Sequence, residues 1–269
     1  MKAVQRVYRA RELLWNLTLR ELRTKYRDSV LGWAWSMVNP LATIAIYTFV
    51  FNIIFKATVP KGENSGIQTF ALFLVCAYLP WNFFSAASNI GMGSITANAG
   101  LVRRVPFPRE VLVFSSVIHS CIQFMIELGL LSVILLIVGS PILPWLPVIF
   151  AITVLLAFFV AGVALALAAI SVLFRDTIHL WPIALQIWFF LTPIVYSRDV
   201  VQDQLPRWAQ LVLRANPMNG FVTTYRDLLY HARAPELDNI LLIIGFSAFS
   251  FVTGWKIFLK LARRLPEEV

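Results

Sequence analysis

Long apolar runs separated by short polar breaks dominate the chain. The runs fall at about 32–56, 67–90, 111–138, 148–174, 177–196 and 239–259. Each is close to the roughly 20 apolar residues that carry a helix across a bilayer. Only a helix satisfies all its backbone groups within one span. The pattern therefore predicts an all-α, polytopic membrane protein with six transmembrane helices in a single domain, 1–269. The two-residue alternation of an outer-membrane barrel is missing.

Details of the runs add expectations. Residues 1–31 carry Trp15, Leu19, Leu22 and Tyr26 on one helical stripe and Arg20, Arg23 and Arg27 on another. This predicts an amphipathic helix in the membrane interface, apolar stripe down and arginines outward. Trp33 and Trp35 stand where the first span enters the membrane, and Asn39-Pro40 is expected to kink it. The second span has an unusually polar, aromatic middle, Tyr78-Leu79-Pro80-Trp81-Asn82, and the third carries Glu127 well inside it. The fourth span is rich in small residues, including Ala157, Ala161, Gly162, Ala164 and Ala168, which suits close helix packing. Arg175-Asp176 ends it. Within the connection 197–238, Trp208, Leu211 and Val212 share one face, and Phe221, Tyr225, Leu228 and Leu229 share another, with Asn216-Pro217 between. Two short amphipathic helices dipping into the outer leaflet are expected there.

Between the second and third runs lies a basic stretch, 98–110, reading NAGLVRRVPFPRE. It holds Arg103, Arg104 and Arg109, with Pro106 and Pro108 on either side of Phe107. Arginine is disfavoured in hydrocarbon, which places the stretch on the cytoplasmic face. The prolines interrupt helix and stiffen the turn. Two readings stay open: a docking knob for another protein, or a loop whose arginines only fix orientation.

Composition agrees with the pattern. The chain is 59% hydrophobic and 14% charged, against about 25% charged in soluble domains. A net charge of +9 would point to nucleic acid in a soluble protein; here most of it flanks the spans, where orientation and anionic headgroups account for it. With both termini cytoplasmic, six spans place 16 Lys and Arg inside and 7 outside, as the positive-inside rule requires. The first thirty residues are charged throughout and show no cleavable signal peptide. Cys76 and Cys121 have no ligand-spaced neighbours, so neither a disulfide nor a metal site is expected, and the three histidines are scattered.

Chemistry-bearing motifs are absent. There is no G-x-x-x-x-G-K-[ST], H-E-x-x-H or G-x-S-x-G. Glu127 is the one clear acid in the hydrocarbon zone, whereas ion-driven carriers use relays of such groups. Glu127 is open to a functional or a hydrogen-bonded structural role. Energy for transport would come from another subunit.

Five segments together resemble the permease subunits of bacterial polysaccharide and teichoic-acid ABC exporters. They are residues 11–33, the basic stretch 98–110, Phe174-Arg175-Asp176, Leu191-Thr192-Pro193-Ile194-Val195-Tyr196, and Asn216-Pro217-Met218. The resemblance covers nearly the whole chain in order. It implies a homodimeric permease with two cytoplasmic ATPase subunits, which would bind the ATP and Mg, so that this chain has no cofactor, metal or catalytic residue of its own. It also implies export of a lipid-linked polymer across the cytoplasmic membrane. Within it, 98–110 corresponds to the coupling helix, 1–31 to the interfacial helix near the ATPase and the site of substrate access, and 197–238 to re-entrant extracellular helices. Pro106 departs from the aromatic expected there, and Arg103-Arg104 stand where a lysine pair is common. Charge is kept but pairing geometry changes.

A polymer passing repeat by repeat needs weak, repeated contacts, which aromatic faces supply. Tyr47, Phe51, Tyr78, Trp81, Phe84, Trp188, Phe189 and Tyr196 are the expected pathway residues; for any one ring, helix packing or an interfacial belt is the competing role. Teichoic acid stands narrowly ahead of O-antigen as the polymer. The alternatives are a permease for drugs or lipids, or a carrier or membrane enzyme acting on lipid-linked sugars.

Overall fold

The structure, a computed structural model, describes residues 8–26, 35–54, 59–196, 206–207, 210, 213 and 215–261. Every regular element among them is helical. An outlying helix, α1 (Arg11–Tyr26), precedes α2 (Trp35–Tyr47), which runs directly into a π-helical stretch, Thr48–Ile54. Then come α3 (Phe70–Ala97), the short α4 (Ala99–Arg104), α5 (Glu110–Ile137), and α6 (Leu146–Leu173), which a 3-10 turn at Leu143–Trp145 introduces. They are followed by α7 (Thr177–Phe190), α8 (Pro217–Arg226) with a π-helical end at Asp227–His231, and α9 (Leu237–Leu261).

Among the described residues four helices are long and apolar enough to cross a membrane: α3, α5, the 143–173 segment containing α6, and α9. Leu41–Phe51 and α7 are shorter apolar helices. The helices depart from the expected runs mainly at their ends. α3 continues seven residues past the expected end of its span, to Ala97, and is closed by Asn98. α7 stops at Phe190, and 191–196 is a succession of bends, so the fifth apolar run is helical only in its first part. Trp33, Arg27, Trp208, Leu211 and Val212 lie outside the described residues.

α3 is the central helix. In its most apolar window 78% of residues are buried, against 22% in α9, which lies at the rim. Its polar, aromatic middle is explained by that position: Leu79, Pro80 and Trp81 face protein, not lipid. Small residues set the closest crossings. A Cβ built on Gly91 of α3 would stand 2.8 Å from the Ala164 Cβ of α6. A Cβ on Gly254 of α9 would fall onto the backbone of Gly162 in α6. The small-residue stripe of the fourth run thus works by letting backbones approach. Hydroxyls tie the same helices and add α7: Ser171 Oγ donates to the Met92 carbonyl (3.0 Å), Ser250 Oγ to that of Phe159 (2.8 Å), and Ser88 Oγ accepts from Trp181 Nε1 of α7 (3.1 Å).

The largest departure concerns α8. Phe221, Tyr225, Leu228 and Leu229 do form one face, but each is fully buried, as are Met218 and Tyr230. α8 is wedged among α3, α6 and α9, and the Tyr225 hydroxyl lies 2.7 Å from Thr153 Oγ1. Its apolar face is covered by protein rather than by a lipid leaflet.

Candidate functional site

The basic stretch begins at Asn98, which ends α3 and starts α4. Its Nδ2 donates to the Ser94 carbonyl (2.8 Å), and its own carbonyl accepts from the backbone N–H of Leu101 (2.9 Å) and Val102 (3.0 Å). One residue therefore closes one helix and opens the next. α4 gives way to extended backbone at Val105, since Pro106 and Pro108 lack the donors a helix needs. Arg103, Arg104, Val105 and Pro106 are exposed, whereas Phe107, Pro108 and Arg109 are half-buried. Phe107 packs against the protein's own core. It is not the free aromatic knob that the spacing suggested: the projecting edge is made by Arg103, Arg104, Val105 and Pro106. With Val102, Phe107 and Arg109 these line a depression of about 390 Å³.

α1 lies beside this stretch and is organised differently from the expected two-stripe helix. Its protein-facing side is Leu14, Leu17, Thr18, Glu21 and Leu22, with Leu17, Thr18 and Leu22 buried, and it packs on α5. Of the expected apolar stripe, Leu22 is buried against protein whereas Trp15 is 55% exposed. Arg23 is exposed as expected; Tyr26 is the last helical residue. Arg20 does not simply point outward: its Nη2 donates to Asn98 Oδ1 at 2.5 Å. Glu21 Oε1 accepts from Ser116 Oγ (3.2 Å) and Ser115 Oγ (3.4 Å) of α5. Burial pushes the Glu21 carboxyl above the usual carboxylate range, against the opposing pull of Ser116, Arg20 and Ser115. Sequence reasoning missed both contacts. The available signal was an acid set among apolar positions of the helix.

Seven of the eight candidate pathway aromatics fall into two groups, while the hydroxyl of the eighth, Tyr196, donates to the Phe190 carbonyl (3.3 Å). Tyr47, Phe51 and Tyr78 form one, with the Tyr47–Phe51 ring centroids 6.0 Å and the Tyr47–Tyr78 centroids 6.1 Å apart. Trp81, Phe84, Trp188 and Phe189 form the other, with Trp81–Phe189 at 5.7 Å and Phe84–Trp188 at 5.1 Å. Phe84 is fully buried and Trp81 nearly so, so neither lines an open path in this conformation: their rings fill the seam between α3 and α7. Tyr47, Phe51, Tyr78, Trp188, Phe189 and Tyr196 are half-buried.

Two of the motif segments meet at Asn216. Its Oδ1 accepts from Trp188 Nε1 (2.7 Å) and from the backbone N–H of Met218 (3.0 Å), and its Nδ2 donates to the Leu191 carbonyl (3.1 Å) and Thr192 Oγ1 (3.0 Å). Asn216 thus caps α8 and fastens it to the bends that follow α7, with Pro217 at the first helical position where no donor is needed. At the other end of α8, Arg226 lies over the Phe73 ring (3.8 Å) and donates to the Ile194 carbonyl (2.8 Å). The loop 59–67 clasps the turn beyond. Asn64 donates from its backbone to the His231 carbonyl (3.0 Å) and from Nδ2 to that of Ala232 (3.0 Å), while Ser65 bonds the Tyr230 carbonyl. Arg233 joins Asp227 (2.7 Å) to Glu63.

Glu127 is buried and accepts from Gln123 Nε2 (3.1 Å). With Asn82, His119, Ser120 and Gln123 it lines a 40 Å³ cavity between α3 and α5. His119, Gln123 and Glu127 follow at four-residue steps, a spacing that was visible in the sequence. Arg175 and Asp176 are exposed at the turn into α7. Among the described residues no group of three or more His, Cys, Asp or Glu could hold a metal.

A bundle of long apolar helices with an exposed basic elbow defines a multi-pass membrane protein. The family model for the ABC-2 type transporter matches residues 12–230, and the chain belongs to that family. It is similar to the O-antigen export system permease protein RfbA of Myxococcus xanthus, 32% identical over 95% of this chain and 93% of that one. The protein of the same name from Klebsiella pneumoniae is 28% identical over 95% and 94%. The polysialic acid transport protein KpsM of Escherichia coli is 26% identical over 78% of each chain. The chain is accordingly a transporter permease of the inner membrane and not an enzyme; ATP hydrolysis belongs to its ATP-binding partner subunit.

Proposed function

We propose that this chain is the membrane subunit of an exporter that carries a lipid-linked polysaccharide across the cytoplasmic membrane. The observation that carries the proposal is the near full-length similarity to the Myxococcus xanthus O-antigen permease. O-antigen-type polysaccharide is placed ahead of teichoic acid, the reverse of the order the basic interfacial helix favours, because membrane-surface binding accounts for that charge equally well. In this reading two copies of the chain assemble with two ATPase subunits, which bind ATP and Mg. Both termini are cytoplasmic. α2 with its π-helical continuation (13 and 7 residues) forms the first span, since helix rises about 1.5 Å per residue. α7 and the bends after it form the fifth, and 217–231 is a re-entrant element on the outer side. The half-buried aromatics on α2, α3 and α7 supply the weak contacts along the path.

The basic stretch is the surface that receives the ATPase. Its exposed arginines and its half-buried Phe107 support that role. Phe107→Ala disturbs the protein's own packing as well as any docking, so charge reversal is the cleaner test. Arg103→Glu with Arg104→Glu is expected to leave the permease folded and membrane-inserted while the ATPase subunit no longer co-purifies and export stops. Normal complex formation and export in that variant would leave these arginines a topogenic role only.

A further inference from the structure

α1 touches both flanks of the basic stretch through two consecutive residues. Arg20 Nη2 reaches Asn98 Oδ1 (2.5 Å) at the start of the stretch. Glu21 Oε1 lies within bonding distance of the hydroxyls of Ser116 (3.2 Å) and Ser115 (3.4 Å), which it shares with the Leu112 carbonyl (3.1 and 2.9 Å), in the second turn of the helix that leaves it. Successive helical residues project about 100° apart, so one level of α1 can address two different elements. We propose that Arg20 and Glu21 are positioning residues for the basic stretch: they brace its two flanks against the interfacial helix and so set the angle at which it meets the ATPase subunit. This rests on the reading that the stretch docks there.

The local chemistry favours a brace over a lipid contact. The backbone N–H of Asn98 goes to Ile95 (3.1 Å), its carbonyl to Leu101 and Val102, and its Nδ2 to Ser94. All of these bonds are within α3 and α4. The Oδ1 is the one group of this residue that bonds another element among the described residues, and Arg20 takes it. Asn98 is also the joint between the two helices, so a hold on it controls the direction of α4. α1 itself is seated by Leu17, Thr18 and Leu22, all buried. That seat does not depend on Arg20, so the brace can be cut while α1 stays in place. An arginine that served only the membrane surface would be indifferent to Asn98.

The test is a double-mutant cycle in the purified permease–ATPase complex, reconstituted and normalised to complex, reading polymer exported per ATP hydrolysed. Arg20→Ala and Asn98→Ala are each expected to lower that ratio on the order of threefold to tenfold. The double variant is expected to be no worse than Asn98→Ala alone, which already removes the Arg20 contact together with the Asn98–Ser94 bond. Arg9→Ala removes the same charge from the same exposed segment and is expected to leave it unchanged. A short bis-maleimide bridge between Arg20→Cys and Asn98→Cys is expected to preserve export, because the two sites move as one body. Additive losses, equal effects of Arg20→Ala and Arg9→Ala, or arrest by the bridge would each overturn the proposal. The docking reading fails separately: it falls if Arg103→Glu with Arg104→Glu still binds the ATPase, whatever Arg20→Ala does.

Discussion

Gly254 is where one added methyl group should matter most. In α9 it crosses α6 so closely that a Cβ would meet the carbonyl oxygen, carbonyl carbon and Cα of Gly162. All three are backbone atoms, so no side chain can turn aside and the helices must separate. Overpacking of this kind costs about 1–3 kcal/mol. Replacing glycine by alanine inside a helix returns about 0.5–1 kcal/mol of intrinsic propensity. Because the clash is with backbone, the upper end of the overpacking range applies, and Gly254→Ala should lose about 2 kcal/mol net, more than a tenfold change in the folding equilibrium. Gly245 is the control on the same helix, because a Cβ there meets nothing within 4 Å. Gly245→Ala should be neutral or slightly stabilising. Reversible unfolding of the detergent-solubilised protein by a denaturing detergent, followed by far-UV circular dichroism, reads both. If Gly254→Ala were as stable as Gly245→Ala, the close crossing of α6 and α9 would be wrong.

Three further outcomes are expected. Burial holds the Asp227 carboxyl above its ordinary range, opposed by Arg233; its favourable contribution is thus full below the unfolded-state pKa and is lost as pH rises through the folded-state value. Arg233→Gln removes the opposing cation, so the variant's melting temperature should fall further below the parent's as pH rises across that window; a gap independent of pH would contradict this. Phe84→Ala should empty a fully buried site, with a loss of about 3–5 kcal/mol and reduced membrane abundance, whereas Tyr78→Ala with Phe189→Ala should lower export at normal abundance; equal falls in abundance would assign all these rings to packing. A cysteine replacing Glu63 should react with an impermeant maleimide from outside, and one replacing Arg104 should not; outside labelling at Arg104 would invert the topology.

The helical class and the long runs were legible because a bilayer demands long apolar segments and permits little else. The small-residue stripe of α6 was legible for a related reason, since close crossings need residues without bulk. The position of α8 was not. Phe221, Tyr225, Leu228 and Leu229 show the same periodicity whether their face meets lipid or protein, and only the tertiary fold decides between them. Phe107 was open in the same way: a phenylalanine between prolines is stiff in either case, and how far it projects depends on the core beside it. The aromatic set mixed two environments, because Phe84 and Tyr78 differ in which side of α3 they occupy, not in chemistry. Arg20 and Glu21 carried a real but ambiguous signal. Adjacent opposite charges on an amphipathic helix fit a solvated face as well as they fit a brace to Asn98 and to Ser115 and Ser116.

ATP-dependent transfer in a reconstituted system tests the central claim most directly. The permease and its ATP-binding partner would be placed in proteoliposomes carrying a lipid-linked O-antigen-type polysaccharide on the leaflet that faces the ATPase. Movement of the saccharide to the opposite leaflet would be read by its protection from an added glycosidase. The account predicts transfer that requires ATP, Mg and both subunits, and that is lost with Arg103→Glu and Arg104→Glu. Absence of transfer with an assembled, ATP-hydrolysing complex, or transfer that proceeds without ATP, would contradict it.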